Sequence, residues 1–306
     1  MKSRDRILDK FAPKKKSSVS IFSIVIIVFL ALYCLTLITL FIWAILASFK
    51  EPVMEWRENV IGLPYSFYTD NYEFSLGRFY VDVTDPVTSE SIQVTLPYMF
   101  LYGFLYAIGC AFAATIVPMI VGYVTSKYRY KFSKVIYFVV VIVMIIPIVG
   151  SLPAEIRMAR RFNLYDQIWG MWILKANFLG LYFLVFYNFF RNLPDAYNEA
   201  AKIDGAGNFR TMVQVIIPLA APLFFTVLLI NFIQFWNDYS VPLIYLPTYP
   251  TAAVGMHQMA AGNDKELQYI PIKLAAAIIM LVPILIVFLA THRKLLGNLT
   301  MGGIKG

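Results

Sequence analysis

Apolar residues fall along this chain in long unbroken runs, not in the 3.6 or two-residue alternation of a soluble domain. About 20 apolar residues carry a helix across a membrane. Six stretches meet that length within a few residues, over 20–47, 97–124, 135–152, 168–190, 215–236 and 272–291. They predict an all-α membrane protein with six transmembrane helices. Polar segments separate them: a basic start over 1–19, a long loop over 48–96, a loop over 191–214, and an end over 292–306. In the long loop, Val81–Thr84 and Ser91–Thr95 alternate as the two strands of a small hairpin would.

Composition agrees. Of 306 residues, 59% are hydrophobic and only 14% are charged, too few to cover a soluble domain of this size. The net charge of +8 does not point to nucleic acid, because the basic residues flank apolar runs and there set topology. With the N-terminus inside, seventeen of the twenty-six Lys and Arg lie on the inner side and thirteen of the eighteen acids on the outer. Both termini are therefore expected in the cytoplasm, with the bundle in the cell membrane. Arg157, Arg160 and Arg161 fall on the outer side against this trend, which suits a short helix at the membrane surface or against a partner. Lys14, Lys15 and Lys16 are expected to meet anionic headgroups of the lipid bilayer. The first apolar run is longer than a signal-peptide core and reads as a retained span. Cys34 and Cys110 both sit within apolar runs, so no disulfide framework is expected.

The loop over 191–214 carries the most specific pattern. Asn192 suits a helix N-cap and Pro194 a first turn, with Asp195 and Glu199 favouring the N-terminal half. Ala196, Ala200 and Ile203 share one narrow face. Gly205 suits the left-handed residue that ends a helix. A second helix can begin near Asn208 and pack back through Phe209, Met212, Val213 and Ile216, with Pro218 and Pro222 loosening the start of the fifth span. A small helix joined rigidly to two spans would carry a push from a partner into the bundle. A solitary amphipathic interfacial helix fits the same pattern.

No enzyme signature is present. There is no Gly-x4-Gly-Lys-Ser/Thr phosphate loop, and His257 and His292 lack metal-ligand spacing. Neither catalytic residues, a metal nor a bound cofactor is expected. Asn231 and Gln234, three apart in the fifth span, with Trp236 and Asn237 beyond, are candidates to line a polar pathway; helix–helix hydrogen bonding explains such residues equally well. Lys175 and Asn177 in the fourth span are further pathway candidates. Asp238 suits either an outer mouth or a helix cap.

The run Glu199-Ala200-Ala201, Asp204-Gly205-Ala206 and then Ile217-Pro218 resembles the EAA loop of ABC-importer permeases. Ser48-Phe49-Lys50, Leu63-Pro64 with Asp70-Asn71-Tyr72, Trp236-Asn237-Asp238 and Gly302-Gly303-Ile304-Lys305-Gly306 resemble the carbohydrate branch, similar to the second permease of maltose-type transporters. The resemblance implies a type I ABC importer (MetI-like) bundle. Glu199, Ala200, Ala201, Asp204, Gly205, Ala206 and Pro218 would couple it to an ATPase. It further implies a second homologous permease, an ABC ATPase dimer that uses ATP and Mg, an extracytoplasmic solute-binding protein and a carbohydrate substrate. The segment over 247–270 would reach toward that binding protein or serve as an exposed linker. The outer loop over 80–96 is longer than usual, and Tyr102-Gly103 stands where the family often has Asn-Ser. An ion-gradient-driven secondary transporter, an ABC permease for a non-sugar solute, and a membrane receptor remain as alternatives.

Overall fold

The computed structural model describes residues 21–77, 79–84, 89–128, 130–146, 149–261 and 268–299, with side chains up to residue 289. The basic start and the glycine-rich end read from the sequence lie outside these residues. The chain is helical apart from one hairpin. Helix α1 spans Ile21–Ser48, and short helices α2 (Met54–Glu58) and α3 (Asp70–Gly77) follow. Strands β1 (Tyr80–Thr84) and β2 (Ser91–Thr95) pair antiparallel, with Val81 opposite Val94, as the alternation predicts. Then come α4 (Leu96–Lys127), α5 (Lys131–Ile145), α6 (Leu152–Arg161), α7 (Ile168–Leu174), α8 (Leu181–Asn192) and α9 (Ala196–Ile203). The chain closes with α10 (Asn208–Asn237), α11 (Ser240–Tyr245), α12 (Ala252–Ala261) and α13 (Ile270–Leu299).

Among the described residues, four helices are long and apolar enough to cross a membrane: α1, α4, α10 and α13. The other two apolar stretches are built differently from the continuous spans their hydropathy suggests. The third is helical over Lys131–Ile145, and Ile146 is extended, as a residue preceding proline must be. The fourth is broken. Helix α7 stops at Leu174, and the Asn177 side chain accepts a hydrogen bond from the Leu179 N–H at 2.8 Å, forming an Asx turn. An extended Gly180 then starts α8. Averaged hydropathy hides such a turn, because Phe178 and Leu179 are as apolar as helix residues. The three arginines that defied the charge count lie on α6 or at its end, and Arg160 stacks over the Tyr165 ring at 4.5 Å.

Helix α4 is the axis of the bundle. Its buried stripe of Gly103, Ala107, Cys110, Ala111, Thr115 and Gly122 is small, so α8 and α10 can approach closely. At one end Met119, Tyr123, Phe186, Phe190 and Ile216 close a core between α4, α8 and α10. Toward the other end Tyr106, Phe232, Phe235 and Trp236 form a second core. The hairpin packs Val81, Val83 and Val94 onto Met99, Ala252 and Ile272, so it is welded to the bundle. Helix α7 meets the preceding turn just as tightly. A Cβ on Gly170 would stand 2.2 Å from the Leu164 carbonyl oxygen and 2.8 Å from its backbone carbons. Backbone cannot swing aside, so Gly170→Ala is expected to destabilise by roughly 1–3 kcal/mol. A fall in the melting temperature of the detergent-purified chain checks this; an unchanged value would contradict the contact.

Motifs far apart in the first loop converge. Asn71 Nδ2 donates to the Ser48 and Lys50 carbonyls, both at 2.8 Å, and the Ser48 hydroxyl meets the Tyr72 hydroxyl at 2.6 Å. The Lys50 ammonium, fully buried, donates to the Asn59 and Val60 carbonyls. Glu51 accepts from the N–H groups of Val53, Met54 and Glu55. Desolvation is the largest single influence and pushes its carboxyl up, but the three backbone donors together outweigh it, and its pKa lies below the ordinary glutamate value. Residues 48–72 are therefore one hydrogen-bonded cap on the end of α1.

Candidate functional site

Two features stand out, one at the end of the bundle and one within it. At the end away from the hairpin, α9 is an eight-residue helix held by its start. Leu193 is extended because Pro194 follows, so α8 ends at Asn192 and the new helix begins at Ala196. This corrects the sequence-based cap: Asn192 is the last residue of α8, and Asp195 takes the N-cap position without a side-chain cap bond. The Lys127 ammonium at the end of α4 donates to the Leu193 carbonyl and to Asp195 Oδ1, both at 2.6 Å. A longer contact of 3.4 Å joins the Tyr123 hydroxyl to Asn198 Oδ1.

The helix closes on Gly205, whose φ of +75° is left-handed. Its N–H bonds the Lys202 carbonyl at 3.0 Å, and the Ala206 N–H bonds the Ala201 carbonyl at 2.8 Å. Those two bonds form the Schellman stop. Of the motif residues, Ala201 is buried against the bundle and Ala206 is half-buried, whereas Glu199, Ala200, Asp204 and Gly205 are exposed. Ala196, Ala200 and Ile203 face outward together, with Ile203 at 86% exposure. Phe209 (76% exposed) and Val213 also point outward, contrary to the packing expected from sequence, while Thr211 and Ile216 are buried. An apolar isoleucine and phenylalanine are thus left bare around an alanine face, an exposed apolar knob.

Helix α10 begins at Asn208, but residues Met212–Ile216 form a π-helical turn in which the Ile217 N–H reaches back to the Met212 carbonyl. Pro218 follows directly. It has no N–H to offer the Gln214 carbonyl, and the widened turn accommodates that missing bond. Pro218 thus sits in the first turn of the regular helix, where its ring is tolerated.

The second feature is a cavity of about 570 Å³ between α4, α6, α8 and α10. Four pathway candidates from the sequence line it: Lys175, Asn177, Asn231 and Gln234. Asn231 is 3% exposed and donates to the Thr115 hydroxyl at 2.9 Å, so it serves helix–helix bonding as well as the wall. Trp236 and Asn237 are not among the lining residues. Trp236 is buried in stacks with Phe100 and Phe232, and Asn237 bonds back to the Ile233 carbonyl. Phe235 takes the lining position instead. Asp238 caps α11, accepting from the N–H groups of Ser240 and Val241, and also receives the Tyr106 hydroxyl. Sequence reasoning missed Glu155, which joins the wall from α6. Its carboxylate bonds the Ser151 hydroxyl at 2.5 Å and receives the Tyr245 hydroxyl at 3.3 Å. The Lys175 ammonium has no hydrogen bond or ion pair among the described residues.

The bundle therefore presents an outward-facing helix–glycine–helix loop at one end and, within, a cavity whose wall includes Lys175, Asn177, Asn231 and Gln234. Residues 114–295 match the family of binding-protein-dependent transport system inner membrane components, and the chain belongs to that family. It is 26% identical to the diacetylchitobiose uptake system permease protein NgcG of Streptomyces coelicolor, over 89% of this chain and 86% of the relative. It is 24% identical to the polygalacturonan/rhamnogalacturonan transport system permease protein YtcP of Bacillus subtilis, over 94% and 99%. The fold is similar to a chain in the crystal structure of a bacterial ABC transporter involved in import of the acidic polysaccharide alginate. The TM-score is 0.70 at 22% identity, over 92% of this chain and 99% of that one.

Proposed function

We propose that this chain is the membrane-spanning permease subunit of an ATP-driven carbohydrate importer and forms half of its translocation pathway. The single observation that carries the coupling role is the exposed knob of α9, anchored at its start to α4 and continuous beyond its glycine with α10. An ATPase cleft closing on Ala200 and Ile203 would move both helices. Glu199 and Asp204, exposed on the same short element, are its polar anchors. ATP and Mg belong to that separate ATPase dimer. A second, homologous permease supplies the other half of the pathway, and a solute-binding protein docks at the hairpin end. The named relatives of this chain support a saccharide as cargo.

The bundle crosses the membrane six times in this reading. Helix α5 makes the third crossing, and α7 with α8 the fourth. Non-helical backbone at membrane depth is tolerated where it lines a cavity. The break over 175–180 does so, which supports placing the pathway there. Six crossings and the basic inner segments support a reading with both termini in the cytoplasm.

The test is reconstitution with a candidate partner permease, ATPase dimer and solute-binding protein. Labelled oligosaccharide uptake should require ATP on the ATPase side and survive collapse of ion gradients. Uptake that follows the gradient instead would overturn ATP coupling, and a binding protein that holds only non-sugar solutes would overturn the cargo class.

A further inference from the structure

A second, larger groove of about 860 Å³ lies beside the root of α9, between the end of α4, the start of α5 and the end of α8. Its charged lining comprises Lys127, Lys131, Lys134, Arg191 and Asp195. Lys127 and Asp195 neutralise each other at 2.6 Å. Lys131, Lys134 and Arg191 make no hydrogen bond or ion pair among the described residues. The two lysines are three apart on α5 and so share a face; Arg191 comes from α8 on the facing wall. Thr125 adds a separate observation. Its residue is 5% exposed, and its hydroxyl, buried in the groove wall, has no hydrogen-bond partner. A buried hydroxyl without a partner is costly unless something outside the chain completes it.

The surroundings say what that is. Between the lysines the same helix turns Phe132 outward at 72% exposure, and beyond them Phe138 at 63% and Ile145 at 74%. The Tyr137 and Tyr187 rings, with centroids 4.9 Å apart, bridge α5 to α8 where the polar groove gives way to the apolar wall. Three free cations and an unpartnered hydroxyl at the top of an apolar, aromatic-bordered surface match a phosphate with acyl chains beneath it. We propose that this groove binds the headgroup of an anionic phospholipid. Phosphate oxygens would meet Lys131, Lys134 and Arg191 and accept from the Thr125 hydroxyl, while the chains run along α5. The bound lipid would then sit against the Lys127–Asp195 pair that roots α9.

Native mass spectrometry of the full chain, released from detergent with added phosphatidylglycerol or phosphatidylcholine, tests this directly. Wild type should retain phosphatidylglycerol over phosphatidylcholine. The double substitution K131Q/K134Q should weaken that retention about thirtyfold, given the attraction of each basic residue to an anionic surface. K131R/K134R should restore it and thereby exclude misfolding as the cause. Thr125→Val, nearly isosteric, should lower retention further than a conservative surface change does. Equal retention of the two lipids, or no effect of K131Q/K134Q, would overturn the proposal. Displacement of phosphatidylglycerol by equimolar inorganic phosphate would also overturn it, because that would mark a soluble-anion site.

Discussion

Gly205→Val is expected to reduce ATP-driven uptake at least tenfold while leaving the amount of folded chain in the membrane nearly unchanged. The reason is conformational. A side chain at Gly205 meets nothing within 4 Å, so there is room for one. What opposes it is φ of +75°, which costs an L-residue roughly 1–2 kcal/mol and a β-branched one more. That is comparable with the stability of an eight-residue helix that buries only Ala201. The loop would leave its Schellman geometry and the knob would lose its aim, while the cores around α4 remain untouched. Gly205→Asn provides the internal control, since asparagine visits the left-handed region and should keep most activity. Glu199→Lys should fall with Gly205→Val, through lost recognition and not lost shape. Uptake in proteoliposomes, set against chain recovered in the same vesicles, is the measurement. A valine variant that transports as wild type would remove α9 from the coupling role.

The other large effect is expected in the cavity. Gln234→Leu and Lys175→Met should each raise the half-saturating concentration of the cargo–binding-protein complex, or slow turnover, by about three- to tenfold. That corresponds to one lost hydrogen bond or charged contact. Both side chains face the cavity and neither makes a hydrogen bond or ion pair among the described residues, so their removal orphans no group there. Asn231→Leu differs, because it removes the buried donor that the Thr115 hydroxyl accepts from while that hydroxyl still donates to the Ala111 carbonyl, and it should lower thermal stability as well. Asn237→Ala is the negative control: its amide is spent on the Ile233 carbonyl, outside the cavity. If Asn237→Ala impaired uptake as strongly as Gln234→Leu, the cavity would not be the route.

Much of this architecture is legible in the residues. The long apolar runs, the alternation in Val81–Thr84 and Ser91–Thr95, and the glycine stop at 205 each have a local cause, and local causes can be read along a chain. The broken fourth stretch was hidden because one Asx turn at Asn177 weighs little against its apolar neighbours. The π turn at Met212–Ile216 was hidden because Pro218 declares a missing donor without saying how the backbone accommodates it. Which side of α9 faces outward depends on where α4 ends, and no spacing within α9 contains that. The same holds for the cavity wall. Four polar residues were found by depth alone, but separating Gln234 from Asn237 needs the neighbours that fill one side of the helix and leave the other open. Glu155 was missed because it lies on a basic, amphipathic segment that suggested a surface.

The clamp of Lys127 on Leu193 and Asp195 would also set a gear ratio for a push on α9. Ala114, on the cavity wall, is thirteen residues up α4 from Lys127, or roughly 20 Å at the rise of an α-helix, and Gln234 is roughly 39 Å up α10 from Asn208. For α4 pivoting at cavity level, a displacement of ~2 Å at the clamp is a tilt of only about 6°. The same displacement on the longer arm of α10 turns it about 3°. Two walls of one cavity would thus rotate by unequal amounts for a single stroke, so the cavity would shear as well as widen.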